Sequence, residues 1–356
     1  MSIIQRISRI ISQIFNLTHT IADQTENAMK VCWDTLAKVS RSFALVIQNL
    51  PEGLDKQVMI GYEILRTVDT IEDSQLPDSE RKVAFDLFRN ILGGKADQND
   101  VLKLQQIIDS GVHTTLDKTV AHVIVPHIFT ALSALGPEQQ EIIKRTAMEM
   151  SLGMEREDFR DVKDLDHNDE YCHYVAGIVG IMLTDLFEAD GRLTKEQYEK
   201  IQPYSEPYGL GLQKVNILKD MYGDIKEGRF FWPRDLIEKY GFTKENILEE
   251  AKDRPEEAQA LVNELVEDTR KQLNSGVEYV TLLPEHEKKV RMFSAIPLYM
   301  AIATAGRMHN TLDVFFNAPV KIPRSQTYAI VNKLDTIIQD NDALREYYES
   351  FFHSGS

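Results

Sequence analysis

Tyr62-Glu-Ile-Leu-Arg66-Thr-Val-Asp69-Thr-Ile-Glu-Asp73 and Gln213-Lys-Val-Asn216-Ile-Leu-Lys-Asp220-Met-Tyr-Gly-Asp224 carry the same pattern. A helix advances about 100° per residue, so offsets of three, four, seven and eleven return to one side. Tyr62, Arg66, Asp69 and Asp73 therefore line one stripe, and Gln213, Asn216, Asp220 and Asp224 line another. Their neighbours are largely apolar, such as Leu65, Val68 and Ile71 in the first and Leu210, Val215, Leu218 and Met221 in the second. These are polar seams set in apolar helices.

Outward from the seams, period-3.6 patterning dominates and strand-like alternation is short and rare. Helices are predicted over 26–49, 54–73, 80–92, 100–109, 115–135, 138–158 and 169–189. Further ones are predicted over 195–222, 234–240, 243–252, 255–282, 285–310 and 324–350. Gly93-Gly94, Gly136-Pro137, Pro284 and the stretch from Pro319 to Pro323 punctuate them. The fold class is all-α. No repeat or low-complexity linker divides the chain, so residues 26–350 are expected to form one domain, with an amino-terminal segment over 1–25 and a tail over 351–356.

Composition narrows the function. The 356 residues hold 40 Lys+Arg against 56 Asp+Glu, a formal charge of −16, which argues against nucleic acid as a partner. Two cysteines, Cys32 and Cys172, exclude a disulfide scaffold or a cysteine-rich metal framework. The longest uncharged stretches, Thr119–Pro137 and Met292–Gly306, contain Pro126 and Pro297 and read as buried helices, not bilayer spans. No cleavable leader is evident, so a cytoplasmic location is expected, peripheral on the cytoplasmic membrane face if the amino-terminal segment binds there; a monomer is expected. At the amino terminus Ile3, Ile4, Ile7, Ile10, Ile11, Ile14 and Phe15 recur at helical spacing around Arg6 and Arg9. Such a basic amphipathic helix suits a membrane surface, and equally a helix packed on the domain.

Carboxylates four residues apart on a helix can share a hard cation, and Mg²⁺ takes a few carboxylates together with water and phosphate oxygens. Two seams facing each other would hold a diphosphate through bridging Mg²⁺ and neutralise it as a leaving group. A single Asp-x-x-x-Asp is also what a solvated helix face in an acidic protein looks like; two copies, each extended by a matched polar stripe, favour the functional reading. Arg41, Arg66 and Arg229 are the guanidinium groups suited to phosphate oxygens, with a surface ion pair as the plainer role of each. The run Asp164-Leu-Asp166-His-Asn168-Asp169 opens like a calcium loop, but its sixth and twelfth positions are Asp169 and Val175. No glycine-rich dinucleotide fingerprint or P-loop occurs.

With these motifs in order, the chain resembles the squalene/phytoene synthase family, most closely its squalene-forming members, from about Ser40 to Lys333. Ser40-Arg-Ser-Phe-Ala is similar to the family's opening segment, and Asp69-Thr-Ile-Glu-Asp73 to its first aspartate motif. Tyr171-Cys-His-Tyr-Val-Ala-Gly177 resembles the segment with the catalytic tyrosine. Gln213 to Asp224 followed by Gly228-Arg229-Phe-Phe-Trp-Pro233 resembles the second aspartate motif. Phe293-Ser-Ala-Ile-Pro297 and Val320-Lys321-Ile322 resemble late segments. Ser74, Lys219, Gly223 and Pro323 stand where the family commonly has Asp, Arg, Glu and a basic residue.

The resemblance implies a class I isoprenoid synthase fold around a central cavity. It implies head-to-head condensation of two farnesyl diphosphates to presqualene diphosphate, then NADPH-dependent reductive rearrangement to squalene. Asp69, Asp73, Asp220 and Asp224, with Asn216, would hold Mg²⁺; Arg41, Arg66, Arg229 and Gln213 would bind diphosphate. Phe43, Tyr62, Tyr171 and Phe293 would present π faces to an allylic cation, with Tyr171 assisting ionisation or proton loss. Lys321 and Arg324 would meet NADPH phosphates, while Cys172 and His173 are expected to be structural. Two alternatives remain: a synthase that stops at presqualene diphosphate or makes dehydrosqualene or phytoene without reductant, and a helical membrane-surface scaffold without catalysis.

Overall fold

The computed structural model describes residues 22–316 and 319–352. The amphipathic segment therefore lies outside the described residues, apart from its last few positions. Contacts divide the chain into two compact units, one made of residues up to Gln48 with Asp55–Ser151, the other of Asn49–Leu54 with Leu152 onward. Among the described residues there is no strand, only an isolated parallel bridge between Asp161 and Phe230.

The first unit holds α1 (22–39), α2 (Arg41–Ile47), α3 (Leu54–Glu72), α4 (Asp78–Leu92), α5 (Gln98–Gly111), α6 (Thr115–Thr119), α7 (Val125–Leu132) and most of α8 (Pro137–Met154). The helix predicted over 26–49 is broken at Ser40. There the backbone is extended and the Ser40 hydroxyl accepts a hydrogen bond from the Phe43 amide, capping α2. Serine competes in this way with helix continuation. The helix predicted over 115–135 is likewise divided, by a π turn at Val120–Ile124 ahead of Pro126, which has no amide hydrogen to donate. Asp97 and Asp100 close a reciprocal capping box at α5. Leu36, Met59, Ile60, Val68, Phe85, Phe88, Leu104 and Ile128 fill the interior.

In the second unit come α9 (Leu165–Cys172), a π turn at His173–Gly177, α10 (Ile178–Ala189), α11 (Lys195–Lys226), α12 (Arg234–Lys239), α13 (Ile247–Glu250), α14 (Pro255–Leu282), α15 (Lys288–Met308), α16 (Arg324–Ile337) and α17 (Asn341–Ser350). The long α11 starts from a Thr194–Gln197 capping box and packs on α10, α14 and α15. The predicted helix over 324–350 is two helices, because Asp340 caps a new start by accepting from the Ala343 amide. Asp164, first of the calcium-like run, is the cap of α9, accepting from the His167 amide. The continuous run Leu165–Ala189 is long and apolar enough to cross a membrane, yet half of its apolar window is buried inside the protein. Cys32 and Cys172 are both free and buried.

Candidate functional site

Each unit carries one aspartate face. In the first, α3 places Tyr62, Arg66 and Asp69 on one stripe, and Asp73 continues it, its amide bonded to the Asp69 carbonyl at 2.8 Å. The Arg66 guanidinium lies 3.7 Å from Asp69 and donates to Asp117 at 2.8 Å. Asp117 is fixed in turn by the Thr114 hydroxyl, the cap of α6. The Arg66 Nε is buried without a hydrogen-bond partner. Asp69 keeps 29% of its side chain exposed but is hemmed in by protein. Burial pushes its pKa up to about 7, helped by Asp73 and Asp117 and opposed by Arg66. Tyr62 hydrogen-bonds Ser40, and burial raises its phenol above the ordinary range. Its ring lies 5.8 Å from that of the exposed Phe43. Arg41 opens α2; its side chain lies outside the described residues.

On α11, in the second unit, Asn216 donates to Gln213 at 3.3 Å, and Lys219 pairs with Asp220 beside it. Gly228, at φ +79, turns the chain back so that the Arg229 amide reaches the Asp224 carbonyl at 2.8 Å. The Arg229 side chain then meets the Asp224 carboxylate at 3.2 Å. Burial pushes Asp224 up to about 6, Arg229 opposing and Asp220 and Glu227 assisting.

Arg229 also links the carboxylates to the aromatic residues. Its guanidinium stands 6.0 Å from the Phe231 ring, which stacks on Tyr171 at 4.6 Å. Phe159 also meets Tyr171, edge-on at 5.5 Å. The chain Asp224–Arg229–Phe231–Tyr171 is thus continuous. Phe293, buried on α15, packs edge-to-face with Phe187 at 6.3 Å. The Val320 amide donates to the Lys219 carbonyl at 3.2 Å and so pins the loop carrying Lys321 to α11; Lys321 and Arg324 are exposed.

The residues at family-divergent positions fall into place individually. Ser74 is buried and back-bonds to the Ile71 carbonyl at 2.7 Å. A side chain at Gly223 would meet nothing within 4 Å, so its absence relieves no clash. His173, expected to be structural, pairs with Glu206 at 2.7 Å, and the Cys172 thiol faces Asn168. Sequence reasoning missed Asp117, Phe159 and Phe231; only Phe231, inside the Gly228–Pro233 motif, carried a signal.

The donors on each face are hard carboxylate oxygens, and on the first face burial, with the neighbouring carboxylates of Asp73 and Asp117 assisting, holds Asp69 high. That suits Mg²⁺, whose shell is completed by substrate phosphate and water. Among the described residues no three His, Cys, Asp or Glu side chains gather into a protein-only cage.

The family model described as squalene/phytoene synthase matches residues 36–326. A squalene synthase of Solanum lycopersicum is 33% identical over 329 residues, covering 90% of this chain and 72% of that protein. A solved complex of TcSQS with the ligand BPH1237 superposes with a TM-score of 0.75 at 30% identity, covering 91% of this chain and 90% of that one. A dehydrosqualene synthase in complex with a ligand shares the fold, with a TM-score of 0.59 at 18% identity over 90% of this chain and 99% of that one.

Proposed function

The chain belongs to the squalene/phytoene synthase family, and from that membership we propose that it is a prenyltransferase joining two farnesyl diphosphates head to head and reducing the product to squalene. One observation carries the reading beyond membership: each aspartate pair comes with its own guanidinium, Arg66 at Asp69 and Arg229 at Asp224. Asp69 and Asp73 on one face, and Asp220 and Asp224 with Asn216 on the other, are the residues that would hold Mg²⁺. Bound there, Mg²⁺ supplies positive charge to the departing diphosphate. Arg66 and Arg229 grip phosphate oxygens, joined by Arg41 and Gln213.

Ionisation leaves an allylic cation that water would quench. The rings of Phe43 and Tyr62 in the first unit, and of Tyr171 and Phe293 in the second, are suited to offer negative π faces to that cation. The Tyr171 phenol, stacked on Phe231 and met edge-on by Phe159, is suited to relay the proton lost as the cyclopropane closes, taking it on its oxygen while its own hydrogen passes to an oxygen of the departed diphosphate. NADPH supplies the hydride for the reductive step. Lys321 and Arg324, exposed on the loop pinned to α11 and the helix that follows, are suited to its phosphates. Residues 26–350 act as the catalytic domain, and the basic amphipathic segment over 1–25 serves as a contact with the cytoplasmic membrane face.

The test is incubation with farnesyl diphosphate and Mg²⁺, with and without NADPH, and identification of products by mass spectrometry. Squalene only with NADPH is the expected result. Presqualene diphosphate or dehydrosqualene regardless of NADPH would retain the aspartate faces and overturn the reductive step and the roles of Lys321 and Arg324.

A further inference from the structure

Lys214 follows Gln213 on α11, about 100° around the helix from the aspartate stripe, and is only 3% exposed. Its ammonium pairs with Asp169 of α9 and with Asp268 of α14, the latter at 2.5 Å. Burial works to lower the pKa of this lysine, but the two carboxylates prevail and raise it, so it stays charged. Lys271, on the exposed side of Asp268, adds a looser contact at 3.6 Å. One nitrogen therefore joins three helices of the second unit.

Such a junction constrains position more sharply than apolar packing. A shifted apolar contact can still be repacked by its neighbours, whereas a buried ammonium displaced from its carboxylate is left uncompensated. The α9 residues involved are closely spaced. Asn168 donates to the Phe231 carbonyl at 2.9 Å, Asp169 meets Lys214, and Tyr171 stacks on Phe231. Asp169 is two residues from Tyr171, and Lys214 two from Asn216.

We propose that Lys214 is a positioning residue: through Asp169 it sets the register of α9 on α11, and so the place of Tyr171 relative to Asp220 and Asp224. The proposal rests on the reading of Tyr171 given above. Asp268 belongs to α14 and Asp169 to α9, so the two arms can be removed one at a time.

Asp169→Asn and Asp268→Asn, whose side chains keep 39% and 18% exposure, are the informative variants. Asp169→Asn is expected to lower kcat for farnesyl diphosphate consumption at least tenfold with KM changed less than threefold. Asp268→Asn is expected to lower Tm with a smaller effect on kcat. In a Tyr171→Phe background, Asp169→Asn should cost little further, because its effect acts through that phenol. A kcat loss that merely tracks Tm in both variants, or that multiplies fully with Tyr171→Phe, overturns the proposal. A readout free of turnover accompanies these: with 3-fluorotyrosine at position 171, the ¹⁹F resonance should shift in Asp169→Asn and stay in place in Asp268→Asn. Equal shifts, or none in Asp169→Asn, also overturn it. If the wild type consumes no farnesyl diphosphate, the functional reading fails, and the fluorine comparison still decides the positioning role.

Discussion

At Arg66 one guanidinium serves two carboxylates, and its pairing with Asp117 across 51 residues of sequence keeps it from folding onto Asp69 alone. Asp117→Asn removes the charge that holds Arg66 while preserving shape. A hydrogen bond to a charged group contributes about 1.5–3 kcal/mol, and partial exposure of both partners trims this toward about 1 kcal/mol. The expected outcome is a KM for farnesyl diphosphate raised about fivefold with Tm little changed, read from steady-state kinetics and a thermal melt. A second residue lies about 100° around α3 from Tyr62. Glu63 is fully buried, faces the Cys32 thiol, and is pushed up to about 8 by burial. A carboxyl raised in the folded state adds stability that is complete below its unfolded pKa, near 4.5, and is lost as pH rises through the folded value. Glu63→Gln removes that dependence. It should raise Tm by several degrees at pH 8.5 and by nothing at pH 4.5; an unchanged gain at both pH values would place the effect in packing instead.

Between elements, the tightest contact is where α11 crosses α10 and the π turn before it. A Cβ on Gly209 would stand 2.1 Å from the Ala176 carbonyl oxygen, and one on Gly180 would stand 2.0 Å from that of Ser205. Backbone atoms cannot rotate aside. Gly209→Ala is therefore expected to destabilise by about 3 kcal/mol, the upper end for overpacking, measured as a shift of the denaturant midpoint. An exposed control, Gly223→Ala, meets no atom within 4 Å and should be neutral or slightly stabilising. At this scale the sequence was readable where a helix is decided by its own periodicity and punctuation: Pro255 and Leu282 bound α14 as predicted, and the aspartate stripes lie on helices. It was not readable where a single side chain outbids the helix. Ser40 and Asp340 each divide a continuous apolar pattern by capping the segment that follows, and a serine or aspartate in such a run looks like an ordinary surface residue until its amide partner is known. The partners of the site residues were hidden for the same reason. Asp117 belongs to no motif and Asp169 only to the calcium-like run that fails, and both gain meaning only from the arginine or lysine that tertiary packing brings to them.

For the whole molecule, acidity and metal binding are linked. Asp69 at about 7 and Asp224 at about 6 retain protons in the folded state that the unfolded chain, near 3.8, has released. The stability these protons contribute is full below pH 3.8 and declines as pH rises through 6 and 7, so without ligand the two groups favour the acidic side. A divalent cation reverses the sign, because it binds the ionised form. Between pH 8 and pH 6 the ionised fraction of Asp69 falls about tenfold, and Asp224 adds roughly a factor of two. Mg²⁺ with inorganic diphosphate should therefore protect the protein strongly at pH 8 and weakly at pH 6. At one hundred times Kd the stabilisation is about 2.7 kcal/mol, which for a chain of this length corresponds to a Tm rise of about 4 °C. Differential scanning fluorimetry over that pH range reads it directly. Asp69→Asn should abolish most of the rise and its pH dependence together, whereas a rise that survives Asp69→Asn unchanged, or that grows toward pH 6, would place the bound ions away from the aspartate faces.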